Sequence, residues 1–299
     1  MSSIPVDDTI FSAVAGKNVI ITGGSTGIGE ATVRLLHENG ATVTIGDVND
    51  AAGSALAASF PERVVYVHCD VTSWDSLVAL FAAAAAHGPI DIVYSNAGVT
   101  GREQLLESTY DEESGALLPP TFPDLAVNLT AGLMITKLAV HEFRKRGYGR
   151  IVYTGSAASM LDTPPFLNYC AAKHGVLGLM RGLRPTVGEW GDITVNLIAP
   201  WFTMTPMAAR LGPKWGARPA NTAEGVAKAM LFAAVGKEWR EGGVSGDQKI
   251  GSPVNGCTFW VGGNEIVEFE GPLRQARPHW MGEKLAVAVA DGQIALGGW

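Results

Sequence analysis

The stretch from Asn18 to Gly40 leaves this chain few ways to fold. Asn18-Val-Ile-Ile-Thr22 is a short apolar run suited to a buried strand, and Gly23-Gly-Ser-Thr-Gly27-Ile-Gly29 follows it directly. Glu30-Ala-Thr-Val-Arg-Leu-Leu-His-Glu-Asn39 then carries a helical pattern that stops at Gly40. A strand, a glycine-rich turn and a helix aim the free amides of the first helical turn at one point, where a phosphate is stabilised. Glycines permit the tight turn and the close approach of backbone to ligand. The spacing is Gly-x-x-x-Gly-x-Gly and not the common Gly-x-Gly-x-x-Gly. Taken alone, the loop is compatible with a nucleotide site or with an ordinary turn.

The same alternation continues along the chain. Apolar runs predict strands near 18–22, 41–46, 63–68, 90–95, 149–155, 192–198 and 257–261. Helices are predicted near 27–39, 50–59, 73–87, 122–146, 166–189, 204–211 and 221–236. This order implies an α/β chain with a doubly wound, parallel, seven-stranded sheet and helices on both faces. At 299 residues, one large domain is expected over 16–262, with an N-terminal extension (1–15) and a C-terminal arm (263–299). The prolines at 272 and 278 suggest that the arm starts out extended, with a short helix near 283–289. Ligands of such sheets lie off the carboxyl ends of the strands. The loop Gly23–Gly29, Asp47, Asp70, Asn96, Ser156 and Pro200 all fall at that edge.

Tyr169 and Lys173 stand four residues apart in a predicted helix and so share a face. Ser156 lies thirteen positions upstream of Tyr169, at the end of a predicted strand. An ammonium beside a phenol favours the ionised form and lowers a pKa that is ordinarily about 10. Such a tyrosine could take a proton from an alcohol whose oxygen is held by Ser156. Asp47, at the end of the second strand, suits the acceptor for an adenosine ribose and would repel a 2′-phosphate. Neither Ser25-Thr26 nor Val48-Asn49 offers a compensating cation, so NAD is the expected cofactor rather than its phosphorylated form.

These residues, in this order, resemble the short-chain dehydrogenase/reductase family over roughly residues 15–262. The resemblance implies a Rossmann-type fold and an alcohol–carbonyl oxidoreductase, with Ser156, Tyr169, Lys173 and Asn128 as the catalytic set. In that set Asn128 would position a proton-relay water. It also implies that the dinucleotide lies against Gly23, Ser25, Thr26, Gly27, Ile28 and Gly29 of the loop, and against Asp47. Asp70 with Val71 would meet the adenine, and Asn96-Ala97-Gly98 follows the fourth strand. Tyr169, Lys173, Pro200, Phe202 and Thr205 complete the expected cofactor contacts. One departure stands out: Trp201 follows Pro200 where the family usually has glycine.

The expected substrate walls are Met160, Phe166, Trp201, Met204 and Met207, together with the run Pro164-Pro-Phe-Leu167. They imply a bulky lipophilic secondary alcohol or ketone. The runs Tyr169-Cys-Ala-Ala-Lys-His-Gly-Val176 and Ala199-Pro-Trp-Phe-Thr203 look like NAD-dependent, hydroxyprostaglandin-dehydrogenase-like members from fungal biosynthetic pathways. A carbonyl reductase or epimerising enzyme of the same fold, or a non-catalytic NAD-binding protein, are the alternatives. Formal net charge is −7 with no basic run, which argues against nucleic acid as a partner. Cys69, Cys170 and Cys257 are isolated and the histidines lack ligand spacing, so reduced thiols in a cytoplasmic setting and no metal are expected. No secretory leader is apparent in Met1–Gly16, and no apolar window approaches the ~20 residues of a membrane span. The resemblance implies a homodimer or homotetramer. The long segment Gly101–Pro123, with its acidic run Glu107–Glu113, is expected as a surface excursion at the pocket rim.

Overall fold

Strand β1 (Asn18–Thr22) passes through the glycine turn into α1 (Gly27–Glu38), and β2 (Thr42–Asp47), α2 (Asp50–Ala58) and β3 (Val64–His68) repeat the unit. Next come α3 (Trp74–Ala85), β4 (Ile92–Ser95), the single turn α4 (Pro123–Leu125), α5 (Ala131–Arg144) and β5 (Tyr148–Thr154). The chain continues through α6 (Leu167–Val187), β6 (Asp192–Pro200), α7 (Gly212–Trp215), α8 (Ala223–Val235), β7 (Thr258–Gly262) and β8 (Glu265–Glu268). It ends in α9 (Glu270–Gln275), α10 (Arg277–Met281) and α11 (Glu283–Ala295). This computed structural model describes residues 3–101, 105–163, 165–240, 242–244 and 248–297. Pro164, residues 102–104 of the expected excursion and the last two residues of the arm lie outside the described residues.

The strands form one sheet in the order β3-β2-β1-β4-β5-β6-β7-β8. The first seven are parallel, as expected, and strand order reverses between β1 and β4, which opens a crevice at their carboxyl ends. Every residue of β1 is buried, because helices cover both faces of the sheet. Side chains alternate between two cores. Val19 and Ile21 join Val33, Leu36, Met230 and Phe232 under α1 and α8. Ile20 joins Leu77, Leu80, Ile135, Phe143 and Met180 under α3, α5 and α6.

Several features go beyond the sequence expectation or depart from it. The helix foreseen over 122–146 is interrupted by a π turn at Ala126–Thr130, centred on Asn128. The helix foreseen at 204–211 is a 3-10 turn, Pro206–Leu211. An eighth strand, β8, folds back antiparallel on β7 through a turn in which Asn264 adopts φ 68°. The N-terminal extension is tied in: Ile4 N donates to Ile266 O of β8, and Phe11 and Val14 are buried in the core.

Where an extended course was expected, the arm is helical from α9 through α10; the short helix expected near 283–289 lies within α11. Pro272 and Pro278 sit in the first turns of α9 and α10, where a missing amide costs nothing. Buried ion pairs anchor it. Glu270 accepts from Arg181 and Arg184 of α6 and from Thr258 of β7, and Arg240 bridges Glu238 and Glu268. Among the described residues no helix is long and apolar enough to cross a membrane.

Candidate active site

Three side chains stitch the strand ends together beneath the crevice. Thr22 Oγ1 accepts from the amides of Asn96 (3.1 Å) and Ala97 (3.2 Å). Asn96 Nδ2 donates to the carbonyls of Thr22 (3.1 Å) and Gly23 (2.9 Å), while its Oδ1 accepts from Thr154 Oγ1 (2.9 Å). The ends of β1, β4 and β5 are thereby locked at the point where strand order reverses. The glycines here are dictated by space. A Cβ on Gly29 would lie 2.0 Å from the Gly23 carbonyl oxygen, and one on Gly23 would lie 2.7 Å from Ala97 Cα. In the sequence Thr22 stands only as the first residue of the glycine motif, and the Thr154 hydroxyl carries no spacing signal.

Ser156 caps the 3-10 turn Ala157–Ser159 after β5, its Oγ accepting from Ala158 N (3.1 Å) while Ser159 Oγ accepts from Ser156 N (3.2 Å). The same hydroxyl hydrogen-bonds the Tyr169 phenol from α6. One turn on, Lys173 is buried, with Nζ donating to Thr154 O (2.8 Å) and standing 5.5 Å from the Tyr169 ring centroid. A Cβ on Gly98 would lie 2.9 Å from Asn128 Oδ1 and 3.5 Å from Lys173 Nζ, so both side chains lie beside this glycine. Asn128 pairs with both backbone groups of Val99, accepting from N at 3.0 Å and donating to O at 2.8 Å. Its side chain is therefore occupied. Ser156, Tyr169, Lys173 and Asn128 are brought together as expected.

The electrostatics differ from the sequence argument. Burial raises the Tyr169 phenol; the Ser156 hydrogen bond pulls the other way, and the charges of Cys170 and Asp124 add to the rise. Burial also depresses the Lys173 ammonium, to about 8. The expected lowering of the phenol by Lys173 is not found in the protein alone. The ammonium is itself stripped of water and directs its nearest bond to Thr154.

The loop side of the crevice suits a dinucleotide. Thr26 precedes α1 with an extended backbone and makes no side-chain cap, whereas α2, α3 and α8 are capped by Asn49, Ser73 and Thr222. The first-turn amides of Gly27, Ile28 and Gly29 are thus left without a side-chain acceptor, as an anion site requires. Ser25 Oγ is buried without a partner. Asp47 Oδ2 accepts from Ser25 N (3.0 Å) and Oδ1 from Asn49 N (3.1 Å). Tyr66 donates to Asp47 O (2.7 Å) and to Asp50 (2.6 Å), adding a second carboxylate beside the first. Asp70 holds Thr72 through Oδ1, a bond that lowers its pKa, and Val71 is buried next to it. Across the loop, a Cβ on Gly27 would stand 3.3 Å from Thr205 Cγ2.

Beyond Pro200 the chain is braced by aromatic rings. Trp201 stacks on Trp260 (5.8 Å, 27°) and meets Trp215 edge-on (5.3 Å, 68°), while Phe202 stacks on Trp215 (4.5 Å, 14°). The Trp201 indole therefore packs on partners distant in sequence, and the Phe202 ring faces Trp215. Phe166 meets the Tyr169 ring edge-on at 6.5 Å, and Met160 ends the turn that Ser156 begins. Met204 and Met207 are exposed, as are Leu161, Leu167 and Leu211. Besides the acidic run Glu107–Glu113, the excursion before α4 exposes Leu106, Tyr110, Leu117 and Phe122.

Similarity to known proteins extends over most of the chain. The family model described as short chain dehydrogenase matches residues 17–215. A short-chain dehydrogenase/reductase of Penicillium roqueforti, prx4, is 34% identical over 290 residues, covering 94% of this chain and 85% of that protein. (+)-Borneol dehydrogenase 1 of Salvia officinalis is 35% identical, covering 75% of this chain and 89% of that one. AscJ of Acremonium egyptiacum, a short-chain dehydrogenase/reductase, is 37% identical over 78% of this chain and 79% of its own. Among solved structures, levodione reductase superposes with a TM-score of 0.65 at 25% identity, covering 83% of this chain and 97% of that one. A 3-ketoacyl-(acyl-carrier-protein) reductase from Brucella melitensis, complexed with NADH, gives 0.69 at 21% identity, covering 84% and 98%. That last likeness concerns the fold.

Proposed function

The chain belongs to the short-chain dehydrogenase family of alcohol and ketone oxidoreductases, and from that premise we propose that it interconverts a bulky lipophilic secondary alcohol and its ketone with NAD(H). A nicotinamide cofactor comes with the family; the choice of NAD(H) and of substrate is our reading. The observation that carries it is the Tyr169 phenol, hydrogen-bonded by Ser156 and backed by the buried Lys173.

In this reading Ser156 orients the substrate oxygen, and Tyr169 takes the hydroxyl proton in oxidation or returns it in reduction. Lys173, fixed by Thr154, holds positive charge beside the phenol. Asn128 grips both backbone groups of Val99; its role in carrying the proton outward is part of the proposal. The loop 23–29 would hold the pyrophosphate, and the dinucleotide, once bound, supplies or removes the hydride. The exposed apolar side chains Leu161, Leu167, Met204, Met207 and Leu211, in the segments that flank Tyr169 and follow Pro200, support a lipophilic substrate. A relative named for borneol, a secondary alcohol on a hydrocarbon body, is consistent with this. The fungal relatives support a place in secondary metabolism. Isolated thiols fit a reducing, cytoplasmic setting, and the family supports a homo-oligomer.

The raised phenol favours a second reading of direction: at neutral pH the site is poised as an acid, which suits ketone reduction. The deciding experiment is a panel of lipophilic secondary alcohols and their ketones, each with both cofactor forms, followed by nicotinamide absorbance. Turnover confined to small hydrophilic alcohols, or none with either cofactor, would overturn the proposal.

Asp47 bears on cofactor choice. Asp47→Ser should weaken NAD(H) binding by about 10–100-fold, the worth of a hydrogen bond to a charged group. Discrimination against NADP(H) should narrow in the same variant, although Asp50 remains nearby. Titrating both reduced cofactors by fluorescence checks this; an unchanged ratio of the two affinities would contradict the assignment.

A further inference from the structure

Asp124 carries a buried carboxylate whose full use is not explained by the fold. It lies on α4, one turn ahead of Asn128, and is only 6% exposed. Its Oδ2 accepts from Gly101 N (3.0 Å), so Asp124 and Asn128 clamp the segment leaving β4 at two successive points, Gly101 and Val99. That accounts for one oxygen. Oδ1 is buried and has no hydrogen-bond partner. A buried acceptor left unpaired is costly, and a carboxylate more so, unless a donor arrives from elsewhere.

Two further facts relate Asp124 to the reaction site. Turn α4 packs against α6, the helix of Tyr169, and the Asp124 charge is among those felt by the Tyr169 phenol. Gly101 lets the backbone pack directly against this carboxylate: a Cβ there would fall 2.3 Å from Oδ1, so any other residue at 101 would displace it.

We propose that Asp124 Oδ1 recognises substrate, accepting a hydrogen bond from a second donor, a hydroxyl or an ammonium, carried near the carbinol held by Ser156 and Tyr169. The inference rests on the alcohol–ketone reading above and narrows it: the substrate is lipophilic over most of its surface but bears one further donor group. Without such a donor, binding leaves the carboxylate buried and unpaired, so the site discriminates against it.

The test uses three probes on one ring system: indan-2-ol, indane-1,2-diol and 1-aminoindan-2-ol. Each is measured as substrate with NAD+ and NADP+, and as a ligand of the protein–NADH complex by fluorescence titration. Wild type should prefer at least one probe with a second donor over indan-2-ol by about tenfold or more, mainly through KM and affinity. The diol and amine arms tell which donor is read. Asp124→Asn still offers Gly101 an acceptor but presents an NH2 group in place of the free oxygen, and should bring the preference close to unity. Its melting temperature and NADH affinity confirm that the variant is folded. Equal affinities and rates for the three probes in wild type, or a preference that survives in Asp124→Asn, would overturn the inference. Absence of turnover with every probe would count against the dehydrogenase reading instead, while the affinities still decide the role of Asp124.

Discussion

Tyr169→Phe should lower turnover by about 10²–10⁴-fold, the usual worth of a positioned acid–base group, while NADH binding stays within about twofold of wild type. The ring is kept, so its edge contact with Phe166 survives and the fold is not at issue. What is lost is the hydroxyl to which Ser156 bonds. The pH profile gives an independent check. Burial raises the phenol and depresses Lys173 to about 8, so the base form is scarce at neutral pH. Alcohol oxidation should therefore climb as pH rises through the alkaline range, and ketone reduction should fall over the same range. The two groups are close enough that the limb reports the pair and not either residue alone. Residual activity in Tyr169→Phe should lose this limb. A variant with near-native rates, or one retaining the same pH dependence, would remove Tyr169 from the chemistry.

Legibility in the sequence tracked the range of the interaction concerned. The seven parallel strands were readable because each is a short apolar run between turn residues, as in Asn18–Thr22 and Val64–His68. The grouping of Ser156, Tyr169 and Lys173 was readable because helix spacing and one motif suffice to bring them together. The π turn was not, since Ala126-Val-Asn-Leu-Thr130 has nothing that marks it off from regular helix. Proline positions misled in the arm: Pro272 and Pro278 look like breakers but occupy first turns. Strand β8 is four residues long at a sheet edge, too short to show a period. The packing of Trp201 depends on Trp215 and Trp260, which no local pattern connects to it. Desolvation of Tyr169 and Lys173 is likewise a tertiary quantity, which is why the pKa argument from spacing alone took the wrong sign. Asp124 reads locally as an acid near a helix start, and only the folded chain exposes its unpaired oxygen.

The arm provides the second large effect. Glu270 is 3% exposed by side chain, with Arg181 at 2.9 Å and the 10%-exposed Arg184 at 2.8 Å. Burial works against its ionised form, but hydrogen bonds and charge from the two arginines prevail and hold its pKa below the ordinary glutamate value. Glu270→Ala would leave the buried Arg184 guanidinium its bond to Gly256 O but not the Glu270 carboxylate, a loss of about 3–5 kcal/mol. At about 2–4 °C per kcal/mol for a domain somewhat smaller than this one, melting should drop by roughly 10 °C. Because the folded pKa is depressed, the stability Glu270 supplies is complete above the unfolded value of about 4.3 and disappears as pH falls through the folded one. Glu268 opposes this: burial raises its pKa despite the bond from Arg240, so its contribution is present below the unfolded value and is lost as pH rises through the folded one. Glu270→Gln keeps a neutral acceptor for one arginine, so it should melt between wild type and Glu270→Ala at neutral pH and show a flatter acid limb than wild type. Calorimetric melts from neutral to acid pH measure all three proteins. If Glu270→Ala melted within about 1 °C of wild type, the arm would be held by its apolar contacts and the buried ion pairs would contribute little.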